Sequence, residues 1–468
     1  MQGNNNEIRF GTDGWRGIIS DNFTFKNVRR VAQAIADYYS TKTNGDVKIA
    51  VGYDTRFLSD IYAQIVSNTL SNNGIGVILS DRPVPSPMLS FAVAKRNLTA
   101  GVMITASHNP AEYNGIKIKT ASGGAAGVEV TKEIEKTANE ISSIKEEKVK
   151  GKVKKEDLSK DYVRFLRSYI DLKKIKKTRF RVLVDVMHGS GDKFIAQVLK
   201  GTDIKLEFIR SDINPSFGGL RPEPVIENLG PSIERMKKAK IDLCLVLDGD
   251  ADRIASIASG GIFISPQKIL GLLALHLFQD RKMNGGIIKT IVGSNLIDNI
   301  TKKLGLKLYE TPVGFKYISN LMDNNNILVG GEEAGGMGFK GYIPERDGTL
   351  AGLLLLEMMA YRKKPILKLL EEMEKEFGRY YYLREDLNIS NTKFDLENLK
   401  KIKHILDKEV VEVKDYDGVK LVCSDQSWLM FRGSGTEPIM RVYAESKNLN
   451  KSKRLIEFGK KIILRDAL

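Results

Sequence analysis

Short apolar runs alternate with amphipathic stretches along most of the chain. The runs at 47–56, 180–189 and 285–294 are β-branched, and each breaks into a polar or glycine-containing loop. Amphipathic stretches follow the first two runs, at 61–74 and 193–201. This alternation is typical of buried strands separated by helices, so it predicts three related α/β domains.

The C-terminal part has a different pattern. Four stretches between 383 and 446 read as strands, and 455–464 reads as a closing helix, which predicts a small α+β domain. The predicted fold class is therefore α/β, with three similar α/β domains of mixed sheets and a smaller C-terminal α+β domain. The predicted domains span 1–153, 154–262, 263–374 and 375–468.

Composition and charge exclude several classes of protein. The sequence has no apolar run approaching the roughly 18–20 residues of a membrane span and no secretory leader pattern. Cys244 and Cys423 lie in apolar runs and read as buried reduced thiols, so we expect a cytoplasmic protein. The net charge of +15 permits a nucleic-acid surface, but no aromatics interleave with the basic residues. We expect neither a nucleic acid nor a membrane as partner.

A serine follows the apolar run at 99–104. Ser107 lies in the loop 105–110, and the ends of buried strands form the ligand-binding rim of α/β folds. A nucleophilic serine needs a base or an electropositive site, and His108 and Lys117 are close in sequence. The absence of a G-x-S-x-G motif disfavours an acyl hydrolase. An ordinary turn serine is the alternative.

An acidic loop follows the apolar run at 241–247. Its carboxylates alternate with small residues and belong to Asp248, Asp250 and Asp252. On an extended backbone they face one side, where only a hard divalent cation relieves their repulsion. An EF-hand is excluded, because Arg253 replaces its glycine and Ser259 its glutamate. A metal site is predicted, with an acidic surface turn as the alternative.

Two glycine-rich loops complete the chemistry. The loop 330–336 carries acidic groups that can accept hydrogen bonds from sugar hydroxyls. The loop 432–438 combines an arginine, two hydroxyls and glycines, which suits phosphate, although it is not a P-loop. Plain glycine-rich turns are the alternatives. Together the four loops favour phosphoryl transfer on a sugar phosphate, in a central cleft between four domains.

Five motifs in this order resemble those of the α-D-phosphohexomutase family, which includes phosphoglucomutases, phosphomannomutases and phosphoglucosamine mutases. They are FGTDGWRG at 10–17, TASHNP at 105–110, DGDADR at 248–253, GGEEAGG at 330–336 and RGSGTEP at 432–438. The resemblance covers essentially the whole chain. It implies an isomerase that moves a phosphoryl group between the 1- and 6-positions of a hexose through phospho-Ser107. A hexose 1,6-bisphosphate would be both intermediate and activator.

The resemblance also implies roles for individual residues. Ser107 would carry the phosphoryl group and Lys117 would be the general acid/base, with His108, Arg16 and Arg253 beside them. The implied ligands of Mg²⁺ are a phosphoserine oxygen of Ser107 and the carboxylates of Asp248, Asp250 and Asp252. The implied substrate-binding residues are Glu332, Lys316, Arg432, Ser434, Gly435 and Thr436.

One departure from the family bears on the sugar. The third-domain motif usually reads Gly-Glu-x-Ser-Gly, but Ala334 stands at the serine position, which removes a hydrogen bond of roughly 0.5–1.5 kcal/mol. Thr105 and Gly336 differ from residues common in phosphoglucosamine mutases, and TPVGFK at 311–316 resembles glucose-specific members. The prediction is phosphoglucomutase with phosphomannomutase as a second activity. The alternative is phosphoglucosamine mutase.

Two further classes compete. A phosphatase attacking through Asp248 and Asp250 would release inorganic phosphate without needing Ser107. A basic nucleic-acid-binding protein would bind with a steep salt dependence and carry no phosphoserine. Neither explains five ordered motifs. The expected partner is a hexose phosphate, and the expected state is a monomer or small homo-oligomer.

Overall fold

The structure is a computed structural model that describes residues 7–11, 13–142, 151–191, 194–389, 396–433 and 439–465. It contains three mixed sheets followed by one antiparallel sheet, which confirms the predicted fold class. Within the described ranges, every helix is too short or too polar to cross a lipid bilayer.

Domain I is built on a seven-stranded sheet. Its strands are β1 Phe10–Gly11, β2 Gly14–Ile18, β3 Lys48–Tyr53, β4 Gly76–Ser80, β5 Ala100–Ile104, β6 Tyr113–Lys119 and β7 Val153–Glu156. Its helices are α1 Phe25–Lys42, α2 Ser59–Asn72, α3 Ser86–Lys95 and α4 Val128–Glu140. The sheet order is β1-β2-β6-β5-β3-β4-β7.

Domain II has a five-stranded sheet. Its helices are α5 Ser159–Tyr169, α6 Leu172–Ile175, α7 Phe194–Leu199 and α8 Gly230–Lys238, and single 3₁₀ turns cover Phe217–Gly219, Ile226–Asn228 and Ser259–Gly261. Its strands are β8 Arg181–Asp185, β9 Lys205–Ile209, β10 Leu243–Leu247, β11 Ile254–Ala258 and β12 Ile262–Ile264. They are ordered β12-β11-β10-β8-β9.

Domain III has a four-stranded sheet in the order second, first, third, fourth along the chain. Its strands are β13 Gly286–Thr290, β14 Leu308–Thr311, β15 Ile327–Gly331 and β16 Met337–Phe339. Its helices are α9 Pro266–Leu275, which a π-helical turn at His276–Asp280 extends, α10 Asn295–Leu304, α11 Phe315–Asn324, α12 Gly348–Arg362 and α13 Ile366–Phe377.

Domain IV is a six-stranded antiparallel sheet with a long closing helix. Its elements are β17 Tyr381–Asn388, α14 Leu396–Leu399, β18 His404–Ile405, β19 Lys408–Lys414, β20 Val419–Cys423, β21 Trp428–Gly433, β22 Ile439–Ser446 and α15 Leu449–Arg465. The sequence pattern missed β18 and β19. β19 reads KEVVEVK and lies near the sheet edge with Val411 60% exposed, so it lacks the apolar alternation of a core strand.

The three mixed sheets repeat one topology. In each, three parallel strands lie in the order second, first, third, and a fourth strand pairs antiparallel with the third. The link from third to fourth strand carries the loop at 105–112 in domain I, 248–253 in domain II and 332–336 in domain III. Three predicted chemical loops therefore occupy equivalent positions at the carboxyl ends of parallel strands, where α/β sheets bind ligands.

The predicted domain limits at 153, 262 and 374 fall at the start of β7, at the start of β12 and inside α13. A continuous apolar core joins domains II and III to the α3 side of domain I. Domain IV has a separate core of its own. It packs on domain III through a small apolar contact formed by Ile291, Val292, Trp428, Met430 and Tyr443.

Candidate active site

Ser107 lies buried where the first domain meets the second. Its backbone has a φ of 53°, a left-handed conformation that is unfavourable for a residue with a side chain. Its hydroxyl donates a hydrogen bond to Asp248 Oδ2 at 2.9 Å and lies 3.4 Å from His108 Nδ1. Its amide donates to Thr105 Oγ1 at 2.8 Å, which fixes the turn from inside. The predicted nucleophile thus contacts the predicted metal loop directly.

Arg56, which was not among the predicted site residues, holds the serine loop at 105–112. The guanidinium is buried and donates to four backbone carbonyls along the loop and its exit. The acceptors are the carbonyls of Ser107 at 2.8 Å, Asn109 at 2.6 Å, Pro110 at 2.7 Å and Tyr113 at 3.0 Å. One side chain therefore holds both ends of the loop.

Arg56 is in turn held by both domains. Its Nε lies 3.3 Å from Asp54 Oδ2, and Asp54 also accepts hydrogen bonds from Thr105 Oγ1 at 2.6 Å and Ser59 Oγ at 2.8 Å. The ring of Phe217 from domain II lies 4.8 Å from the guanidinium. The available signal was a pair of opposite charges directly after a buried strand, in GYDTR at 52–56.

The aspartate loop has the chemistry of a cation site. Asp248, Asp250 and Asp252 are fully buried, and one oxygen from each lies within 4.8 Å of the others. Among the described residues, none donates a hydrogen bond to Oδ1 of Asp250 or of Asp252. Buried carboxylate oxygens without donors are unfavourable, and oxygen is the ligand that Mg²⁺ prefers. These residues therefore fit a magnesium ion.

The charges in this loop shift each other's pKa values. Burial, followed by repulsion from Asp252 and Asp250, raises the pKa of Asp248 well above its ordinary value. Burial also opposes ionisation of Asp250, but the Lys117 ammonium outweighs it and lowers the pKa of Asp250. The cluster is thus short of positive charge on the side of Asp248.

Lys117 projects from β6 into the same cluster. Its Nζ lies 2.8 Å from an oxygen of both Asp250 and Asp252, and 3.0 Å from Asp13 Oδ2. Burial disfavours its charge, but the three carboxylates outweigh burial and raise the pKa of Lys117. With these partners Lys117 is an ammonium group. It can act as a base only after it has lost a proton, which requires another cation to take its place beside the aspartate oxygens.

Three further predicted residues surround the serine. Arg16 donates from NH1 to Asn109 Oδ1 at 2.6 Å, and Arg253 Nε lies 3.9 Å from Asp252 Oδ1. Burial, followed by the charges of Arg253 and Arg16, lowers the pKa of His108 well below its ordinary value. His108 is therefore a neutral imidazole beside the serine hydroxyl.

Arg346, also missed from the sequence, joins three domains at this point. Its NH1 donates to Glu332 Oε2 at 2.9 Å, its Nε lies 2.8 Å from Asp252 Oδ2, and its NH2 is paired with Asp13. These carboxylates come from domains III, II and I respectively. Arg346 stands just before α12, outside any motif, so the sequence offered no signal for it.

The third loop lies against the second. An isolated β-bridge pairs Gly336 with Arg253, and Glu332 accepts from Arg346 as described. Glu333 Oε2 accepts a hydrogen bond from Thr290 Oγ1 at 2.9 Å, so this carboxylate is directed to the end of β13. Of the two adjacent glutamates, Glu332 faces the charged centre.

Lys316 and Arg432 lie towards domain IV. Lys316 is half-buried in the first turn of α11, and burial lowers the pKa of its ammonium. Arg432 Nε lies 3.0 Å from both oxygens of Asp417, and Asp417 accepts from the amide of Val313 at 2.7 Å. The remaining predicted phosphate residues, Ser434, Gly435 and Thr436, lie outside the described residues.

A buried serine beside three carboxylates, surrounded by lysine and arginine side chains, is the arrangement of an enzyme that transfers phosphoryl groups. Sequence profiles described as phosphoglucomutase/phosphomannomutase alpha/beta/alpha domains I, II and III match residues 7–145, 160–261 and 265–377. The chain belongs to this phosphohexomutase family. It is therefore an intramolecular phosphotransferase, an isomerase.

Full-length relatives agree on the family and differ in the sugar. A phosphoglucomutase/phosphomannomutase of Thermococcus kodakarensis is 30% identical over 97% of this chain and 98% of its own. A phosphoglucosamine/phosphogalactosamine mutase of Sulfurisphaera tokodaii is 32% identical, with the same coverage of both chains. A crystal structure from Thermus thermophilus, provisionally assigned as a phosphomannomutase, is 34% identical with a TM-score of 0.87, covering 97% of this chain and 99% of that one.

Proposed function

We propose that this protein is a phosphoglucomutase with phosphomannomutase as a second activity. It reversibly interconverts hexose 1- and 6-phosphates through phospho-Ser107 and a hexose 1,6-bisphosphate, which also serves as activator. The observation that carries the proposal is the position of Ser107 Oγ, 2.9 Å from Asp248 in the buried meeting point of two domains.

In the first half-reaction a substrate hydroxyl oxygen bonds to the phosphorus as the bond from phosphorus to Ser107 Oγ breaks. Lys117, neutral once its aspartate partners bind Mg²⁺, takes the hydroxyl proton. It then returns this proton to the departing Ser107 Oγ, which again carries the hydrogen that it donates to Asp248, so that no net proton is released. Arg16 and Arg253 face the transferring oxygens, and neutral His108 accepts or donates a hydrogen bond at the serine oxygen. The second half-reaction returns the other phosphate of the bisphosphate to Ser107.

The three aspartates and a phosphoserine oxygen would hold Mg²⁺, which supplies positive charge against the transferring phosphoryl oxygens. The protein prepares this site by burying two carboxylate oxygens to which no described residue donates. Arg56 keeps the serine loop in place, so little reorganisation is needed when the phosphoryl group moves.

The remaining residues hold the sugar and its second phosphate. Glu332, and Lys316 from the start of α11, would bind hydroxyls of the sugar ring. Arg432, with Ser434, Gly435 and Thr436 after it, would bind the phosphate that is not being transferred. We propose that the enzyme acts in the cytoplasm as a monomer or small homo-oligomer, without a nucleic-acid or membrane partner.

Phosphoglucosamine mutase is the second candidate. Among the relatives, the one from Sulfurisphaera tokodaii carries an amino-sugar name, and so do proteins of Methanosphaera stadtmanae and Methanothermobacter thermautotrophicus, each named a probable phosphoglucosamine mutase. Ala334 removes one hydroxyl from the loop that would contact the sugar, and this change by itself favours neither substrate.

The test is kcat/KM for glucose 1-phosphate, mannose 1-phosphate and glucosamine 1-phosphate, with magnesium and a trace of the matching bisphosphate. Preference for glucose supports the first candidate, and comparable values for glucose and mannose support dual specificity. Preference for glucosamine supports the second candidate. Absence of turnover with all three, in a protein whose Ser107 accepts phosphate from the bisphosphate, contradicts both.

A further inference from the structure

Gly336 and Arg346 share a space that holds only one side chain. A Cβ atom at Gly336 would lie 2.5 Å from Arg346 Cδ and 2.9 Å from Glu332 Oε2, both far inside ordinary van der Waals contact. The backbone of Gly336 is not left-handed, so the glycine is needed for room and not for conformation. The bare backbone at 336 is what allows the arginine stem to pass and reach Glu332.

The guanidinium changes what Glu332 offers to a sugar. Arg346 NH1 donates to Glu332 Oε2 at 2.9 Å, and both side chains are almost completely buried, so little water screens the pair. The carboxylate keeps lone pairs that can accept hydrogen bonds from neutral hydroxyls. The guanidinium, which also pairs with Asp252 and Asp13, offsets part of the negative charge of Glu332. An unpaired buried carboxylate would attract an ammonium group more strongly.

A second guanidinium increases the positive charge on this side. Arg253 is bridged through its backbone to Gly336, and among the described residues its Nε has no hydrogen-bond partner. Burial raises the pKa of Glu332, and the charges of Arg346 and then Arg253 oppose that rise. A cationic substituent placed beside Glu332 would meet two arginines.

We propose that Arg346, admitted by the missing side chain at Gly336, selects hexose phosphates with neutral ring substituents and rejects 2-amino sugars, whose ammonium group it repels. The inference rests on the proposed function, in which Glu332 binds the sugar ring. Arg346 acts on specificity and takes no part in moving the phosphoryl group.

Gly336→Ala tests the proposal without removing a charge, because the new Cβ forces the arginine stem away from Glu332. We expect the ratio of kcat/KM for glucosamine 1-phosphate to that for glucose 1-phosphate to rise about tenfold or more, since repulsion between like charges in a buried site is strong. Gly230→Ala is the matched control, because a Cβ there has no neighbour within 4 Å; its ratio should equal that of the wild type.

Arg346→Gln and Arg346→Lys keep the test valid if Gly336→Ala does not fold. The glutamine variant should raise the ratio, and the lysine variant, which keeps the charge, should leave it near the wild-type value. A ratio that stays constant in both Gly336→Ala and Arg346→Gln overturns the proposal, because a general loss of activity cancels in a ratio.

Charge is separated from size by two further measurements on the wild type. Discrimination against glucosamine 1-phosphate should weaken as pH rises and the amine loses its proton, whereas 2-deoxyglucose 1-phosphate, small and neutral, should be accepted at every pH. Discrimination that does not change with pH overturns the proposal. Absence of turnover with every sugar would instead overturn the proposed function, and with it the role of Arg346 in selecting the sugar.

Discussion

The serine loop of domain I and the aspartate loop of domain II occupy the same place in the same topology, yet they differ in whether their buried oxygens receive hydrogen bonds. In the serine loop, backbone carbonyls receive donors from one buried arginine, Arg56. In the aspartate loop, buried oxygens of Asp250 and Asp252 have no donor among the described residues. A nucleophile must be held still by its own protein, whereas a cation site must leave oxygens free for a ligand from outside.

The same contrast extends to the loops after the first strands. Asp54 in domain I and Asp185 in domain II each accept a hydrogen bond from the amide two residues later, at 3.0 Å in both. The arginines differ. Arg56 lies beside Asp54 and also donates to the carbonyls of the serine loop, whereas Arg210, which follows β9, donates from Nε to Asp185 Oδ1 at 2.9 Å. The aspartate turn thus recurs in both domains, and the arginine beside it reaches the serine loop in domain I but not in domain II.

Of the changes that test this contrast, removing the proposed nucleophile should lower activity most. Ser107→Ala is expected to lower kcat by at least about 10⁴-fold, because no covalent intermediate can form. Steady-state kinetics with glucose 1-phosphate and bisphosphate measures the loss. Ser67→Ala removes another buried hydroxyl, which among the described residues donates to a carbonyl of its own helix, at 2.8 Å, and should retain full activity. Ser107→Ala activity within about tenfold of wild type would refute the phosphoserine scheme.

Converting an open oxygen into an amide should weaken the cation site. Asp250→Asn is expected to lower magnesium affinity about tenfold or more, because one charged oxygen ligand is lost. Magnesium titration followed by the rise in Tm measures affinity independently of activity. Asp46→Asn, at an exposed position, is the control and should titrate as wild type does. If magnesium raises the Tm of both variants equally, the cluster is not the cation site.

Replacing Arg56 and Arg210 by lysine, one at a time, distinguishes a role in positioning Ser107 from a role in stability. Arg56→Lys should lower kcat about tenfold to a hundredfold with KM nearly unchanged, because a misplaced nucleophile slows chemistry more than binding. Arg210→Lys should lower the free energy of unfolding by about 1–3 kcal/mol and leave kcat unchanged. Steady-state kinetics gives kcat and KM for both variants, and urea denaturation gives their free energies of unfolding. Equal kcat in the two variants would mean that the carbonyl contacts of Arg56 are purely structural.

A buried carboxylate outside both loops predicts a smaller, pH-dependent effect. Burial raises the pKa of Asp347 from 3.8 to about 6, although the Leu350 amide and Tyr162 hydroxyl donate to it. The folded state then binds a proton more tightly than the unfolded state, so Asp347 makes stability fall as pH rises from about 4 to about 6.

Asp347→Asn keeps the helix cap and removes this proton. Its free energy of unfolding, relative to wild type, should rise by about 3 kcal/mol between pH 4 and pH 7, which is the pKa shift converted to energy. Urea denaturation of both proteins at several pH values provides the measurement. A difference that is flat across this range would show that Asp347 titrates normally.

The sequence predicted elements and motifs well and the connecting charges poorly. Ser107, Asp248, Asp250 and Asp252 follow apolar strands in recognisable loops, and the structure brings them together. Arg56 and Arg346 could not be found this way. The carbonyl that Arg56 holds at Ser107 is 51 residues away, and Arg346 reaches Asp13 across 333 residues, so the folded chain is needed to show these contacts.

The missed strand β19 shows the limit for elements. Strand prediction relies on burial of one face, and β19 is largely solvated, so its pairing with β20 rather than its composition makes it a strand. The phosphate residues Ser434, Gly435 and Thr436 stay a prediction, since they lie outside the described residues.

The separate core of domain IV has a kinetic consequence. Domains I, II and III share continuous apolar packing, so moving any of them apart would expose much of it, whereas domain IV has a self-contained interior. Its junction with domain III is a small apolar contact with several hydrogen bonds and ion pairs around it, among them Lys420 to the Ile291 carbonyl at 2.6 Å and Lys414 to Glu310 at 2.8 Å. We expect a rigid swing at this junction to be the route by which product leaves, because it would expose less apolar surface than separating the other domains. Its frequency would therefore set an upper limit on turnover, whatever the speed of bond making at the serine.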